Sequence, residues 1–258
     1  MIKTLPLTGK KILVPRGKQQ AASLSKLIVD NGGIPIEIPL LAFRPVAANQ
    51  MLEECLARLD TYDWLIFTSN VTVETFFSFP IYVEGLPKIA VIGKRTEAIL
   101  HERGLDVTFV PTAYVAEAFV EEFLPLIHKG TRVLIPKGNL ARDFIAASLR
   151  NAGAEVDEVV IYETYLPEAS RTKLAAMLSE GNLDILTFTS PSTVDHLMQV
   201  VQEYGLQEQL KACIIACIGP VTEKRLRDYK LLVHASPSQY TIKDMINSLT
   251  IFLTQEQG

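Results

Sequence analysis

Three cysteines, Cys55, Cys213 and Cys217, are all that this chain of 258 residues carries. So sparse and odd a count argues against a disulfide framework. Cys213 and Cys217 are expected on one face of a strand, buried as small apolar residues rather than doing metal or redox work. The four histidines, His101, His128, His196 and His234, are scattered without ligand spacing, so no metal site is expected. Positive charge is short as well: 25 Lys and Arg against 29 Asp and Glu leave a net charge of -4, with no basic block. That excludes nucleic acid as the expected partner, because neutralising phosphates needs a basic face. No run reaches the ~18 apolar residues that span a bilayer. Met1 to Lys11 has no apolar core of signal-peptide length, so a soluble, cytoplasmic chain without a membrane partner is expected. Several chemical signatures are missing too. No dinucleotide-type glycine triad follows a strand, and there is no G-x-x-x-x-G-K-[ST] run and no G-x-S-x-G elbow. The predicted strand ends lack an acidic pair for metal or phosphoryl work.

What is present is a core-forming composition, 48% apolar and 21% charged, over a length that suits two ordinary domains or one large one. The chain also repeats itself. Phe67-Thr68-Ser69 recurs as Phe188-Thr189-Ser190, 121 residues on. Lys11-Ile12-Leu13-Val14-Pro15-Arg16-Gly17 matches Arg132-Val133-Leu134-Ile135-Pro136-Lys137-Gly138 at the same offset of 121. Ala90 to Gly93 with Thr96-Glu97 matches Ala216 to Gly219 with Thr222-Glu223 at an offset of 126, and Pro111 and Tyr114 match Pro237 and Tyr240 likewise. Asn31-Gly32-Gly33 answers Asn151-Ala152-Gly153. A period this long means duplicated domains rather than a solenoid.

Apolar runs of four or five residues alternate with helical periodicity throughout. Strands are expected at Lys11–Val14, Ile34–Ile38, Trp64–Thr68, Lys88–Ile92, Val107–Val110, Arg132–Ile135, Leu186–Thr189, Cys213–Ile218 and Leu231–His234. Helices are expected between them, among them Gln19–Asn31, Asn49–Leu59, Val71–Phe77, Thr96–Arg103, Val115–Leu124, Ala141–Asn151, Ser170–Leu178, Thr193–Val201, Thr222–Asp228 and Ile242–Leu253. Such alternation predicts an α/β protein: two flavodoxin-like doubly wound domains with parallel sheets covered on both faces. Pro39–Val46 and Val156–Tyr165 read as extended crossings between lobes. The first lobe then combines residues 1–38 with 168–258, the second spans 45–158, and 39–44 with 159–167 form a two-stranded linker that acts as a hinge.

Ligands of open α/β sheets bind beyond the C-terminal strand ends. Here those ends carry Arg16, Thr68-Ser69-Asn70, Gly93-Lys94, Lys137-Gly138-Asn139, Thr189-Ser190-Pro191-Ser192 and Gly219-Pro220. They are small, hydroxylic or cationic residues just before helix N-termini, where free amides and the dipole favour anions. Ser and Thr also cap helices there, and Gly93 and Gly219 serve equally as turn glycines. Arg16 and Lys137 are harder to explain so, because a cation at a helix N-terminus opposes the dipole and a ligand anion would relieve that cost. The rim thus suits a polyanion with many carboxylates, and it holds no obvious nucleophile.

The ordered motifs Ile12 to Arg16, Phe67-Thr68-Ser69, Pro136-Lys137-Gly138-Asn139, Tyr162-Glu163-Thr164, Phe188-Thr189-Ser190-Pro191-Ser192-Thr193-Val194 and Ile218-Gly219-Pro220-Val221-Thr222 resemble uroporphyrinogen-III synthase over nearly the whole chain. The resemblance implies two flavodoxin-like lobes, a cofactor-free active site in the cleft between them, and hydroxymethylbilane, a linear tetrapyrrole with eight carboxylates, as substrate. It implies a dehydrating cyclisation in which ring D is inverted through a spiro intermediate. It places a general acid, the phenol of Tyr162, on the second crossing segment, and it brings Thr222 into the substrate-binding set. A monomer in transient contact with the preceding enzyme of the pathway is expected. Pro15, Gly17, Asn70-Val71-Thr72 and Lys94-Arg95 depart from the family's usual pattern. Two alternatives remain at this point: a hinged small-molecule binding or sensor protein without turnover, and a flavodoxin-like or receiver-like scaffold.

Overall fold

The computed structural model describes residues 5–47 and 50–255. In chain order the elements are β1 (Lys11–Val14), α1 (Lys18–Asp30), β2 (Ile34–Glu37), β3 (Ala42–Pro45), α2 (Gln50–Ala57), β4 (Trp64–Phe67), α3 (Asn70–Phe76), β5 (Lys88–Val91), α4 (Lys94–Glu102) and α5 (Ala116–Phe123). Then follow β6 (Arg132–Gly138), α6 (Phe144–Asn151), β7 (Glu155–Tyr165), α7 (Glu168–Ser179), β8 (Ile185–Phe188), α8 (Pro191–Tyr204), α9 (Gln207–Lys211), β9 (Ile214–Cys217), α10 (Pro220–Asp228) and α11 (Ile242–Gln255). The expected helix start at Asn49 and the beginning of the Met1–Lys11 stretch lie outside the described residues.

Two compact units emerge, Met1–Ala42 with Tyr165–Gly258, and Phe43–Thr164. The first holds a sheet in the order β2-β1-β8-β9 and the second a sheet in the order β3-β7-β6-β4-β5. The β1–β2, β1–β8 and β8–β9 pairings of the first sheet are parallel, and so are β6–β7, β4–β6 and β4–β5 in the second. The first order is that of a flavodoxin-like sheet. The second repeats it with the chain order permuted, adding β3 outside β7.

The strands β1, β4, β5, β8 and β9 and most of β6 are buried on both faces, which is why they read as apolar runs, whereas β2, β3 and β7 are largely open. Alternation along each strand divides its residues between two cores. Ile12 and Val14 join the core of α1 and α11, whereas Leu13 joins that of α7 and α8. In the second unit Leu65 and Phe67 face the core containing Val73 and Leu100, and Trp64 and Ile66 face that of α5 and α6. Cys213 and Cys217 are buried free thiols of one core, although Cys213 precedes β9 rather than lying within it. Burial first, then the nearby Asp184 charge, pushes the Cys213 thiol up to about 11, which keeps it protonated and inert.

Two expected strands shrink. Residues 107–110 contribute one isolated parallel bridge, Ala90 to Phe109, and residues 231–234 none, the matching bridge, Ala216 to Ala235, falling one residue beyond them. At each site the paired carbonyl serves one neighbour, Phe109 O to Val91 N and Ala235 O to Cys217 N, both at 3.0 Å. These are sheet edges, and the chain leaves them at once. Helix α6 also begins later than Ala141, because residues 139–143 form a turn, with the Ala141 N–H on the Gly138 carbonyl at 3.1 Å.

Candidate active site

The C-terminal strand ends of the first unit bring together residues far apart in the chain. Because β1 lies beside β8, Arg16 reaches Thr189: its Nε donates to Thr189 Oγ1 at 2.7 Å. Arg16 is half-buried, and among the described residues no carboxylate pairs with it. Desolvation pulls its pKa below the ordinary arginine value. Ser190 is the N-cap of α8, yet its side chain caps no backbone N–H. Its Oγ lies 3.2 Å from Ser192 Oγ and 3.4 Å from Thr193 Oγ1, a cluster of hydroxyls rather than a closed cap. Gly219 is the N-cap of α10 and Pro220 its first residue. This rim presents a cation, hydroxyls and helix N-termini around Arg16.

The second unit presents the matched positions differently. Lys137 lies next to last in β6 with its side chain 15% exposed, and Nζ donates to Asp143 Oδ1 at 2.5 Å and Glu158 Oε1 at 2.7 Å. Glu158 in turn meets Arg150 at 2.9 Å. Burial alone would lower the Lys137 pKa, but the hydrogen bonds and charges of Asp143 and Glu158 outweigh it and raise the pKa. The expectation of a cation awaiting an anion therefore fails at Lys137. The sheet register places Glu158 opposite Ile135, and the turn before α6 supplies Asp143. Beside this cluster lies a cavity of about 320 Å³, lined by Thr68, Ile92, Ile135, Phe144 and the Lys137–Glu158 pair.

Ser69 is a true cap of α3: its Oγ accepts from the Thr72 N–H at 3.2 Å. Asn70 is occupied too, its Oδ1 accepting from Thr96 Oγ1 at 3.0 Å. Gly93 caps α4, and Lys94 opens that helix exposed to solvent. Asn139 bonds β7 twice, through its N–H to the Tyr162 carbonyl at 3.1 Å and through Oδ1 from the Thr164 N–H at 2.9 Å. Thr222 is 3% exposed, so its side chain stands behind the start of α10 rather than on the rim. Its match Thr96 is buried in the same way, and so are Thr72 and Thr193, the matched threonines after the two Phe-Thr-Ser motifs. The repeated threonines are a feature of how helices seat on these sheets.

Tyr162 lies on β7, opposite Gly138, where the register shifts between Lys137 and Gly138. The approach is tight: a Cβ on Gly138 would stand 2.5 Å from the Tyr162 ring and 2.7 Å from its hydroxyl oxygen. Phe43 packs against the ring edge-on, with centroids 5.6 Å apart. Among the described residues the Tyr162 hydroxyl makes no hydrogen bond. The ring is fixed and its hydroxyl is left available.

A family model described as uroporphyrinogen-III synthase HemD matches residues 22–247. The chain belongs to the uroporphyrinogen-III synthase family. A Methanothermobacter thermautotrophicus relative, provisionally named a uroporphyrinogen-III synthase, is 33% identical over 94% of this chain and 98% of its own length. A Synechococcus elongatus uroporphyrinogen-III synthase is 28% identical over 93% of this chain and 94% of its own. Crystal structures of the Thermus thermophilus and Helicobacter pylori enzymes show the same fold. The first has a TM-score of 0.62 at 18% identity, covering 96% of this chain and 100% of that one. The second has a TM-score of 0.60 at 16% identity, covering 94% and 99%. Membership makes this an enzyme family of porphyrin biosynthesis, and the binding-module alternative gains no support. Among the described residues no His, Cys, Asp or Glu cluster is arranged to hold a metal, and no helix is long and apolar enough to cross a membrane.

For a uroporphyrinogen-III synthase, the residues that sequence reasoning missed are Glu158 and Asp143, the partners of Lys137. Neither lies in a recurring motif, and Glu158 sits 21 residues away on the neighbouring strand.

Proposed function

We propose that the protein converts hydroxymethylbilane to uroporphyrinogen III as a cofactor-free lyase of the cytoplasm. The terminal hydroxymethyl group leaves as water, generating an electrophilic azafulvene. Ring D attacks it through its already substituted carbon, and the resulting spiro intermediate fragments and recloses with ring D inverted. Unaided closure gives the uninverted isomer, so the protein's main task is to hold the chain in the conformation that favours inversion.

The observation that carries the assignment of residues is Arg16, a half-buried guanidinium with a hydroxyl partner and no carboxylate. A substrate carboxylate completes it, with Thr189, Ser190, Ser192 and the Gly219 N–H around it, Pro220 fixing the start of α10. Charge-assisted hydrogen bonds of this kind contribute roughly 1.5–3 kcal/mol each. In the second unit Thr68, Gly93 and Lys94 remain as substrate contacts, whereas Ser69, Asn70, Gly138 and Asn139 chiefly position their neighbours. Tyr162 is the proton donor to the departing hydroxyl. A phenol is a weak acid, so its assistance is worth about 10²–10⁴-fold, and Tyr162→Phe slows the enzyme rather than silencing it.

The test is the isomer assay. Purified protein given hydroxymethylbilane without cofactor should yield uroporphyrinogen III, and Tyr162→Phe should yield the same isomer with a lower kcat. Product matching the spontaneous, uninverted isomer would sink the proposal.

A further inference from the structure

The matched tyrosines of the repeat, Tyr114 and Tyr240, have no part in the reading above, yet the fold builds the same device around each. The Val115 N–H donates to the Ala113 carbonyl at 2.9 Å, and the Thr241 N–H donates to the Gln239 carbonyl at 2.9 Å. Each tyrosine is therefore the central residue of a γ-turn, and neither has a positive φ, so both turns are of the inverse kind. Each turn follows the bridge at the sheet edge and comes just before a helix, α5 or α11. It lifts the side chain outward: Tyr114 is 50% exposed and Tyr240 61%.

The two rings are seated differently. A Cβ on Gly219 would stand 2.7 Å from Tyr240 Cδ1 and 3.1 Å from Cγ, so this ring lies on the glycine backbone. Gly219 has extended backbone that any residue adopts, with φ 167°, so the ring rather than the backbone angle demands glycine there. At Gly93 the nearest atom is Tyr114 Cβ at 3.9 Å, and the ring is not laid down. Tyr240 is thus a flat aromatic surface backed by main chain and open to solvent. It stands at the strand ends that carry Arg16, on the Gly219 backbone that follows β9, two strand spacings along the rim from β1, on the order of 10 Å. A guanidinium at one end and an aromatic face at the other fit a ligand that is both carboxylate-bearing and built of flat, electron-rich rings.

We propose that Tyr240 is a substrate-positioning residue whose ring stacks on a pyrrole of the linear tetrapyrrole while Arg16 holds a carboxylate. This rests on the function proposed above. Offset stacking needs the face and not the hydroxyl, and an exposed ring contributes little to folding.

The test uses the full-length protein, hydroxymethylbilane as substrate and uroporphyrinogen III as equilibrium ligand. Tyr240→Ala should raise KM and Kd about tenfold with the thermal midpoint unchanged. Tyr240→Phe should restore both to within about twofold. Tyr82→Ala, at a tyrosine 91% exposed and away from the rim, should change neither. Wild-type KM and Kd in Tyr240→Ala overturn the proposal. So does Tyr240→Phe binding as weakly as the alanine variant, or a fall in midpoint that tracks the loss of binding. The isomer made by the unaltered protein reads the reaction separately. The inverted isomer with Tyr240-independent binding removes the stacking alone, and the uninverted isomer with Tyr240-dependent binding removes the reaction alone.

Discussion

Arg16 and Lys137 occupy the same place in the two repeats, yet removing their charges should have opposite consequences. Arg16 is desolvated without a compensating carboxylate, which is a cost to the folded state that a ligand relieves. Arg16→Met should leave the thermal midpoint unchanged or raise it, while KM for the tetrapyrrole rises about 10–100-fold, the equivalent of one charged hydrogen bond. Lys137 is the converse. Lys137→Met strands Glu158, only 12% exposed, with Arg150 as its remaining partner. That should cost about 1–3 kcal/mol of stability, measured by urea unfolding, with a small effect on KM. Equal losses of binding in the two variants would contradict this division. Gly138 is a third kind of position. An added Cβ at 2.5 Å from the Tyr162 ring must displace it, so Gly138→Ala should lower kcat at least as far as Tyr162→Phe does. The identities of Arg16, Lys137 and Tyr162 stand out in the sequence. Their states of charge compensation do not, because those depend on Thr189 and Glu158 arriving from other strands.

At the scale of elements, the Lys137 cluster ties β6, β7 and the turn before α6 together, and its titration sets a pH window. The folded-state pKa of Lys137 is raised, so its contribution is fully present below the ordinary lysine value and is lost as pH rises through the folded one. The pKa of Asp143 is lowered, first by its hydrogen bond from Lys137 and then by that charge. Its contribution is present above the ordinary carboxylate value and is lost as pH falls through the folded one. The stability difference between wild type and Lys137→Met should therefore be flat across neutral pH. It should shrink below about pH 4 and above about pH 10.5. Unfolding curves taken across that range check it, and a difference that persists at both extremes would place the stabilisation elsewhere. The elements themselves were largely legible, because strands buried on both faces must be apolar throughout and helices betray their period. The edge segments at 107–110 and 231–234 were not. Their composition resembles a strand, but pairing on one side leaves only a single bridge at each edge, at Phe109 and at Ala235 just beyond 234. The late start of α6 was likewise hidden, since residues 139–143 turn in order to bring Asp143 to Lys137.

At the scale of the whole molecule, the repeat in the sequence and the units in space do not coincide. The sequence duplicates the β1–β2 segment followed by the β4–β5 segment as β6–β7 followed by β8–β9. The sheets instead join β1 and β2 to β8 and β9, and β4 and β5 to β6 and β7. Offsets alone show the duplication and cannot show this exchange of partners, because matched strands carry nearly the same apolar pattern and would pair equally well either way. What distinguishes the pairings is packing. Among the described residues, the cores of Leu65 and Trp64 draw on residues between Val46 and Tyr162, and those of Ile12 and Leu13 on residues up to Leu40 and from Leu166 onward. The unit Phe43–Thr164 is therefore one unbroken piece of chain with both of its cores complete. Expressed alone, residues 43–164 should unfold cooperatively, and Leu134→Ala, which empties a fully buried position, should lower the stability of that fragment by about 2–5 kcal/mol. In the intact chain the same substitution should destabilise this unit while hydrogen exchange at Leu13 and Leu186 stays protected. A fragment that fails to fold, or a Leu134→Ala effect that spreads equally to β1 and β8, would mean that the units depend on one another more than their separate cores require.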